Sequence, residues 1–189
     1  MREDFEKQPG HQGIRIAGFG GQGVILAGFI LGKAAALFDR RAAVMTQSYG
    51  PESRGGACSA DVVLGAGEID YPCVRAPHVL LALSQQAYAT HVPMLREDGL
   101  LMIDADLVQT GAATTAVTHA IPATRLAEEL GKKMAANMIL LGFFTARTLL
   151  VSEQAMRRAI QNSVPAQSLA LNLRAFALGL NYTSGQAIA

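Results

Sequence analysis

Two glycine-rich stretches carry the residue types that could do chemistry. The first is Ile14-Arg-Ile-Ala-Gly-Phe-Gly-Gly-Gln-Gly23, in which Gly18, Gly20 and Gly23 have the G-x-G-x-x-G spacing of a strand–turn–helix that receives a phosphate. The first glycine permits the tight turn, the second lets backbone approach a phosphate, and the third lets helix and strand pack closely. The helix that follows would aim its free N–H groups and positive dipole end at an anion. The second stretch is Ser48-Tyr-Gly-Pro-Glu-Ser-Arg-Gly-Gly56. There Arg54 can present a guanidinium to a phosphate or carboxylate, and Ser48 and Tyr49 add hydroxyls. Together they make Gly20, Gly21, Gln22, Gly23, Ser48, Tyr49, Arg54 and Gly55 the candidate binding residues. The plainer alternative is a pair of ordered surface turns, with Glu52 and Arg54 pairing locally.

What surrounds the stretches limits the ligand. A nicotinamide site wants an acid at the end of the second strand, which here reads Met45-Thr46-Gln47, and Asp39 comes too early. No G-x-x-x-x-G-K-[ST] loop is present. Cys58 and Cys73 form no C-x-x-C and have no histidine at a ligand spacing, so no metal or cluster site is expected within the chain. His78, His91 and His119 read as structural, and Asn137 as a polar side chain satisfied inside an apolar helix. No catalytic residue is assigned, because no nucleophile, base pair of carboxylates or Ser-His-Asp arrangement can be argued.

The elements that must position these loops follow from apolar periodicity. Ile14–Ala17 reads as the first strand, Gly23–Phe38 as one helix buried on two faces, and Ala42–Thr46 as the second strand, so that both loops lie at one carboxyl edge of a parallel sheet. Cys58–Leu64 alternates and reads as a half-exposed strand, and Ile69–Pro72 as an edge piece. Val79–Leu83, Leu100–Ile103 and Ala116–Ile121 read as further strands. A helix over 85–96 is expected to be cut short by Pro93. Pro122 should open a helix that Gly131 closes. From Lys132 the pattern is helical, with Ser152 as an N-cap, Pro165 opening the last helix and Gly179 closing it. The expected fold is α/β: an open, mostly parallel Rossmann-like sheet with flanking helices and an α-helical C-terminal third. Residues 1–12 read as a flexible tail and 13–189 as one domain.

Composition narrows the function classes. The 189 residues carry a formal net charge of +1, with no basic run longer than a pair, which leaves nucleic-acid binding without an electrostatic footprint. The charged N-terminus has no signal-peptide core, and the most apolar window, 24–38, would make a helix of about 22 Å, short of a bilayer core. A cytoplasmic protein without a membrane span is expected. Half the residues are hydrophobic and only 16% charged, with a mean hydropathy of +0.24, which implies apolar surface buried between subunits and a homodimer when the chain is isolated.

Taken together, Gly18-x-Gly-Gly-Gln-Gly23, Thr46-Gln-Ser-Tyr-Gly-Pro-Glu-Ser-Arg-Gly-Gly-Ala-Cys58 and Ile69-Asp-Tyr-Pro72 resemble the gamma subunit of 2-oxoacid:ferredoxin (or flavodoxin) oxidoreductases, from Ile14 to about Tyr182. The second loop followed by Ala-Cys is most similar to the 2-oxoglutarate (KorC-type) branch, with the pyruvate and branched-chain gamma subunits close by. The resemblance implies a complex that oxidatively decarboxylates a 2-oxoacid, passes the acyl group to coenzyme A and reduces ferredoxin. It places thiamine diphosphate and iron–sulfur clusters on other subunits, and implies alpha, beta and possibly delta subunits as partners, with ferredoxin reached indirectly. The glycine loops would then face the region shared with coenzyme A or a neighbouring subunit. Two other functions compete with this one: a stand-alone nucleotide-binding reductase, and a scaffold whose loops are interface turns.

Overall fold

The computed structural model describes residues 10–51, 55–111 and 116–182. Six strands form one sheet in the order β2-β3-β1-β4-β5-β6. They are β1 (Gln12–Phe19), β2 (Ala42–Tyr49), β3 (Ala57–Gly65), β4 (Val79–Ala82), β5 (Leu100–Asp104) and β6 (Val117–Ile121). From β1 to β6 the pairings are parallel, as buried runs such as Val79–Ala82 and Leu100–Asp104 require. Strand β3 runs against both β1 and β2, so β1 and β2 point the same way with β3 between them.

That insertion corrects the expectation of a half-exposed third strand. β3 is internal, and the alternation that suggested exposure has another cause. Asp61 is on a face that still needs a partner, and Arg15 of β1 supplies it: the guanidinium donates to both carboxylate oxygens at 2.7 and 2.6 Å and to the Val74 carbonyl at 2.6 Å. The segment Ile69–Pro72, expected as an edge piece, forms no strand. The sheet edge is β2 itself.

The helices are α1 (Val24–Lys33), α2 (Gln85–His91), α3 (Ala123–Glu129), α4 (Ala136–Thr148), α5 (Glu153–Gln161) and α6 (Ala166–Leu180). The expected single helix 23–38 is α1 continued by a π-helical turn, Ala34–Phe38, and it is not buried on two faces: Phe29 and Leu37 are exposed. Pro93 falls in a 3-10 turn that ends the α2 segment, as its missing N–H requires. Pro122 is one residue outside α3, at its N-cap. Gly131 closes α3 with φ +85°, its N–H on the Glu128 carbonyl and that of Lys132 on Ala127, the paired bonds of a left-handed helix stop. Ser152 caps α5 by accepting from the Ala155 N–H, and is itself gripped by Asp39.

Gly179 does not close the last helix. It lies inside α6, where it meets α4, and α6 runs on to Leu180. Helix α4 is buried almost all round, with Phe143 and Phe144 at the centre of the core between the sheet and the other helices. Its Thr145 and Thr148 hydroxyls return to the carbonyls four residues back, which lets polar residues lie in that interior without loss. Among the described residues no helix is long and apolar enough to cross a membrane.

Candidate functional site at the carboxyl edge

Strands β1 and β4 are neighbours, yet the chain leaves them in opposite directions, β1 toward β2 and β4 toward β5. The crevice where an open α/β sheet places its ligands is therefore at the ends of these two strands. The turn after β1 and the loop after β2 meet there. The Gly20 N–H donates to the Gly56 carbonyl at 2.8 Å, and a Cβ on Gly20 would stand 3.2 Å from the Gly55 backbone. The two sequence-distant loops thus form one rim.

The fingerprint glycines have more internal work than a phosphate turn requires. A Cβ on Gly18 would approach the Gln22 amide oxygen to 2.5 Å. That oxygen accepts from the Phe19 N–H at 2.6 Å, while the Gln22 amide nitrogen donates to the Leu83 carbonyl at 2.7 Å. Gln22 therefore clasps the end of β1 to the end of β4. What approaches Gly20 is the chain's own Gly55, where the spacing led one to expect a phosphate. Gly23 takes φ +73°, and a Cβ on it would fall 2.2 Å from the Asn137 amide nitrogen, which donates to the Gly23 carbonyl at 3.1 Å. Asn137, 4% exposed, is satisfied inside the protein as expected.

Two cavities flank the rim. One, of about 190 Å³, opens between Gly18, Ser48, Tyr49 and Ser59 on the sheet side and Thr90 and His91 on α2. Burial holds the His91 imidazole below its usual pKa, reinforced by the nearby Arg15 and opposed by Asp61. Its Nδ1 is buried and without a partner among the described residues. The other cavity, of the same size, lies between Gly21, Gln22, Leu83, Asp104, Thr124 and Met134. Asp104, 1% exposed, ends β5 and accepts from the Thr124 N–H and hydroxyl at 2.9 and 2.7 Å and from the Asp106 N–H at 3.1 Å. Burial raises its pKa against those hydrogen bonds.

Of the eight candidate binding residues, Gly20 and Gly55 are in contact, Gly21 and Gln22 face the second cavity, and Ser48 and Tyr49 the first. Gly23 is turned toward Asn137. Arg54 lies outside the described residues, as does Glu52. Sequence reasoning passed over Asp104 and the α2 hydroxyls. The acid closing the apolar run Leu100–Ile103 was a usable signal for Asp104. Cys58, near the first cavity, has its thiol pKa raised by burial, the wrong direction for a nucleophile. The rim is a surface of backbone groups and hydroxyls. It can hold and orient a ligand or a neighbouring chain, and among the described residues it presents no paired nucleophile and base.

Residues 13–182 match the family model for pyruvate ferredoxin/flavodoxin oxidoreductase. The chain belongs to this family. It is 47% identical over 169 residues to the 2-oxoglutarate synthase subunit KorC of Methanocaldococcus jannaschii, covering 88% of this chain and 90% of that one. It superposes with a TM-score of 0.82 and 38% identity on the gamma subunit of a keto/oxoacid ferredoxin oxidoreductase from Geobacter sulfurreducens, covering 90% of this chain and 94% of that one. The same fold recurs, at 22% identity and TM-score 0.80, within the 2-oxoglutarate:ferredoxin oxidoreductase of Magnetococcus marinus, whose structure holds 2-oxoglutarate, coenzyme A and succinyl-CoA. That match covers 93% of this chain and 32% of the longer one. There the fold is a third of a larger polypeptide, whereas here it spans nearly the whole chain.

Proposed function

We propose that the chain is the gamma subunit of a 2-oxoglutarate:ferredoxin oxidoreductase, and that its rim helps shape the coenzyme A entrance of the assembled enzyme. The complex decarboxylates 2-oxoglutarate oxidatively, transfers the succinyl group to coenzyme A and passes two electrons to ferredoxin. The observation that carries the assignment of the rim is the Gly20–Gly56 hydrogen bond, which joins the two glycine loops at the ligand-binding edge of the sheet. The near full-length likeness to KorC carries the choice of substrate.

The chain's own residues position rather than react. Gln22 and Asn137 fix the glycine turn from two sides, Ser48 and Tyr49 offer hydroxyls, and Arg54 supplies the charge for a phosphate. Thiamine diphosphate and the iron–sulfur clusters belong to the alpha, beta and delta partners in this reading. Two cysteines, Cys58 half-buried against the core and Cys73 exposed, are fewer than the four thiolates a cluster takes. Cluster and thiamine chemistry, once supplied by the partners, delivers the acyl group that coenzyme A accepts.

The test is reconstitution. Co-expressed partner subunits purified without this chain are expected to lose coenzyme A-dependent 2-oxoglutarate oxidation and to regain it when the chain is added. A complex fully active without it would refute the proposal. Titration of the isolated chain with NADH should show no binding in the micromolar range, since no acid stands at the end of β2.

A further inference from the structure

We propose that β2 is a self-association edge, through which two copies of this chain join by antiparallel β2–β2 pairing about a two-fold axis at Thr46, turning two six-stranded sheets into one continuous sheet.

The hydrogen-bond phase of β2 is fixed by what it does on its inner side. Its register against β3 runs from Ala42 opposite Gly65 to Tyr49 opposite Cys58, and the next pair, Gly50 and Ala57, is joined by a bond from the Gly50 N–H at 2.7 Å. Antiparallel ladders alternate bonded and non-bonded pairs. Ala42, Val44, Thr46 and Ser48 therefore spend their backbone groups on β3, and Ala43, Met45, Gln47 and Tyr49 turn theirs outward. Among the described residues nothing receives them.

An exposed edge of this length is normally guarded by charge, proline or a bulge. Residues 42–49, Ala-Ala-Val-Met-Thr-Gln-Ser-Tyr, have no charge and no proline, and they pair with β3 without a break in register. Beside this edge, α1 and its π-helical extension pack on β2 and expose apolar side chains: Phe29 is 50% and Leu37 64% accessible. Such a surface awaits cover.

The occupant follows from the edge itself. Unpaired strand edges are satisfied by strands, and a second copy brings one of matching length and neutrality. The antiparallel register that uses all four outward residues sets Met45 opposite the partner's Gln47 and Ala43 opposite the partner's Tyr49. It is symmetric by construction, which is the requirement of a closed two-fold interface. Thr46 then faces the partner's Thr46 as a non-bonded pair on the axis. The two rims lie at opposite ends of the paired strands, with the two Ser48 about 14 Å apart and the two Tyr49 about 20 Å apart along the strand direction.

Two variants of the full chain test this, both in a Cys73→Ser background. Residues facing across an antiparallel non-bonded pair have Cα atoms about 4.5 Å apart, within disulfide range. Thr46→Cys is therefore expected to yield a covalent homodimer under mild oxidation, in the isolated chain and in the complex purified with its partners, while the Cys73→Ser parent does not. Gln47→Pro removes an outward N–H that the monomer does not use. It should weaken self-association at least tenfold by light scattering, from about twice 19.9 kDa toward one chain, with circular dichroism and melting retained. The proposal is overturned by a parent chain that stays monomeric at high concentration. It is equally overturned if the thiol introduced by Thr46→Cys crosslinks to a different subunit in the complex, or if a folded Gln47→Pro chain stays fully dimeric.

Discussion

Glycine meets backbone both where α4 crosses α6 and where the two loops join at the rim, and these contacts differ in kind. Where α4 crosses α6, a Cβ on Gly142 would lie 2.0 Å from the Phe176 carbonyl oxygen and one on Gly179 would lie 1.8 Å from that of Ile139. Where the loops meet at the rim, a Cβ on Gly20 would lie 3.2 Å from Gly55. The first pair is locked between helices packed around Phe143 and Phe176, which are fully buried, and has no room to give. The second joins surface loops at a distance that a shift of a few tenths of an ångström relieves. The same residue type thus holds the scaffold together in one place and joins the two loops of the candidate rim in the other.

Substitutions should separate the two. Gly179→Ala is expected to cost about 3 kcal/mol or more, because the helices must part for a methyl group to enter. Urea unfolding of the isolated chain measures this, and undiminished stability would erase the contrast. Gly23→Ala comes next. It combines a left-handed φ with a clash against Asn137, and should cost about 2 kcal/mol. Adding Asn137→Ala relieves the clash and leaves the backbone strain, so a double-mutant cycle should show coupling on the order of 1 kcal/mol. Zero coupling would mean that Asn137 does not hold the turn.

Gly20→Ala should change stability by less than about 1 kcal/mol, since its neighbour is a yielding loop. In the assembled enzyme it should raise KM for coenzyme A several-fold with a smaller change in kcat. An unchanged KM would assign the rim contact to architecture alone. The smallest effect concerns pH. Burial lowers the pKa of His91 beside the rim cavity and of His119, whose ring packs edge-on against Phe143 in the scaffold. The unfolded chain then binds protons more readily than the folded one. The stability these groups contribute is fully present above their usual value of 6.5 and is lost as pH falls through the lower folded values. Unfolding midpoints measured from pH 7.5 to 5 should fall, and His91→Gln should make the fall shallower without abolishing it.

Much of the fold was legible because it depends on local chemistry. Val79–Ala82 and Leu100–Asp104 are apolar runs too short for helices, Ser152 and Gly131 mark helix ends by their own side-chain and backbone preferences, and Pro93 interrupts a helix wherever it falls. Two of the misreadings share a cause, which is that the partner lies far along the chain. Asp61 gave β3 the pattern of an exposed strand because its partner, Arg15, is forty-six residues away. Gly179 read as a helix end because the helix that presses on it, α4, cannot be inferred from its neighbours. The candidate site divides in the same way. Gly20, Gly55, Ser48 and Tyr49 were chosen as candidates from residue type and spacing, but Asp104 and His91 were not: the acid after Leu100–Ile103 marks a strand end, yet nothing adjacent in sequence shows that this end or the end of α2 borders the rim.

The sequence by itself determined the element types, the placement of two glycine-rich loops after strands, and the family, because each is a matter of residue type at short spacing. The tertiary structure decided that β3 enters between β1 and β2, which glycines face backbone and which face a cavity, and that β2 is left as an edge with four residues' backbone groups turned outward. These depend on which segments come together across scores of residues. Side-chain preference acts over a turn or two of chain, whereas packing and backbone pairing act across the whole of it.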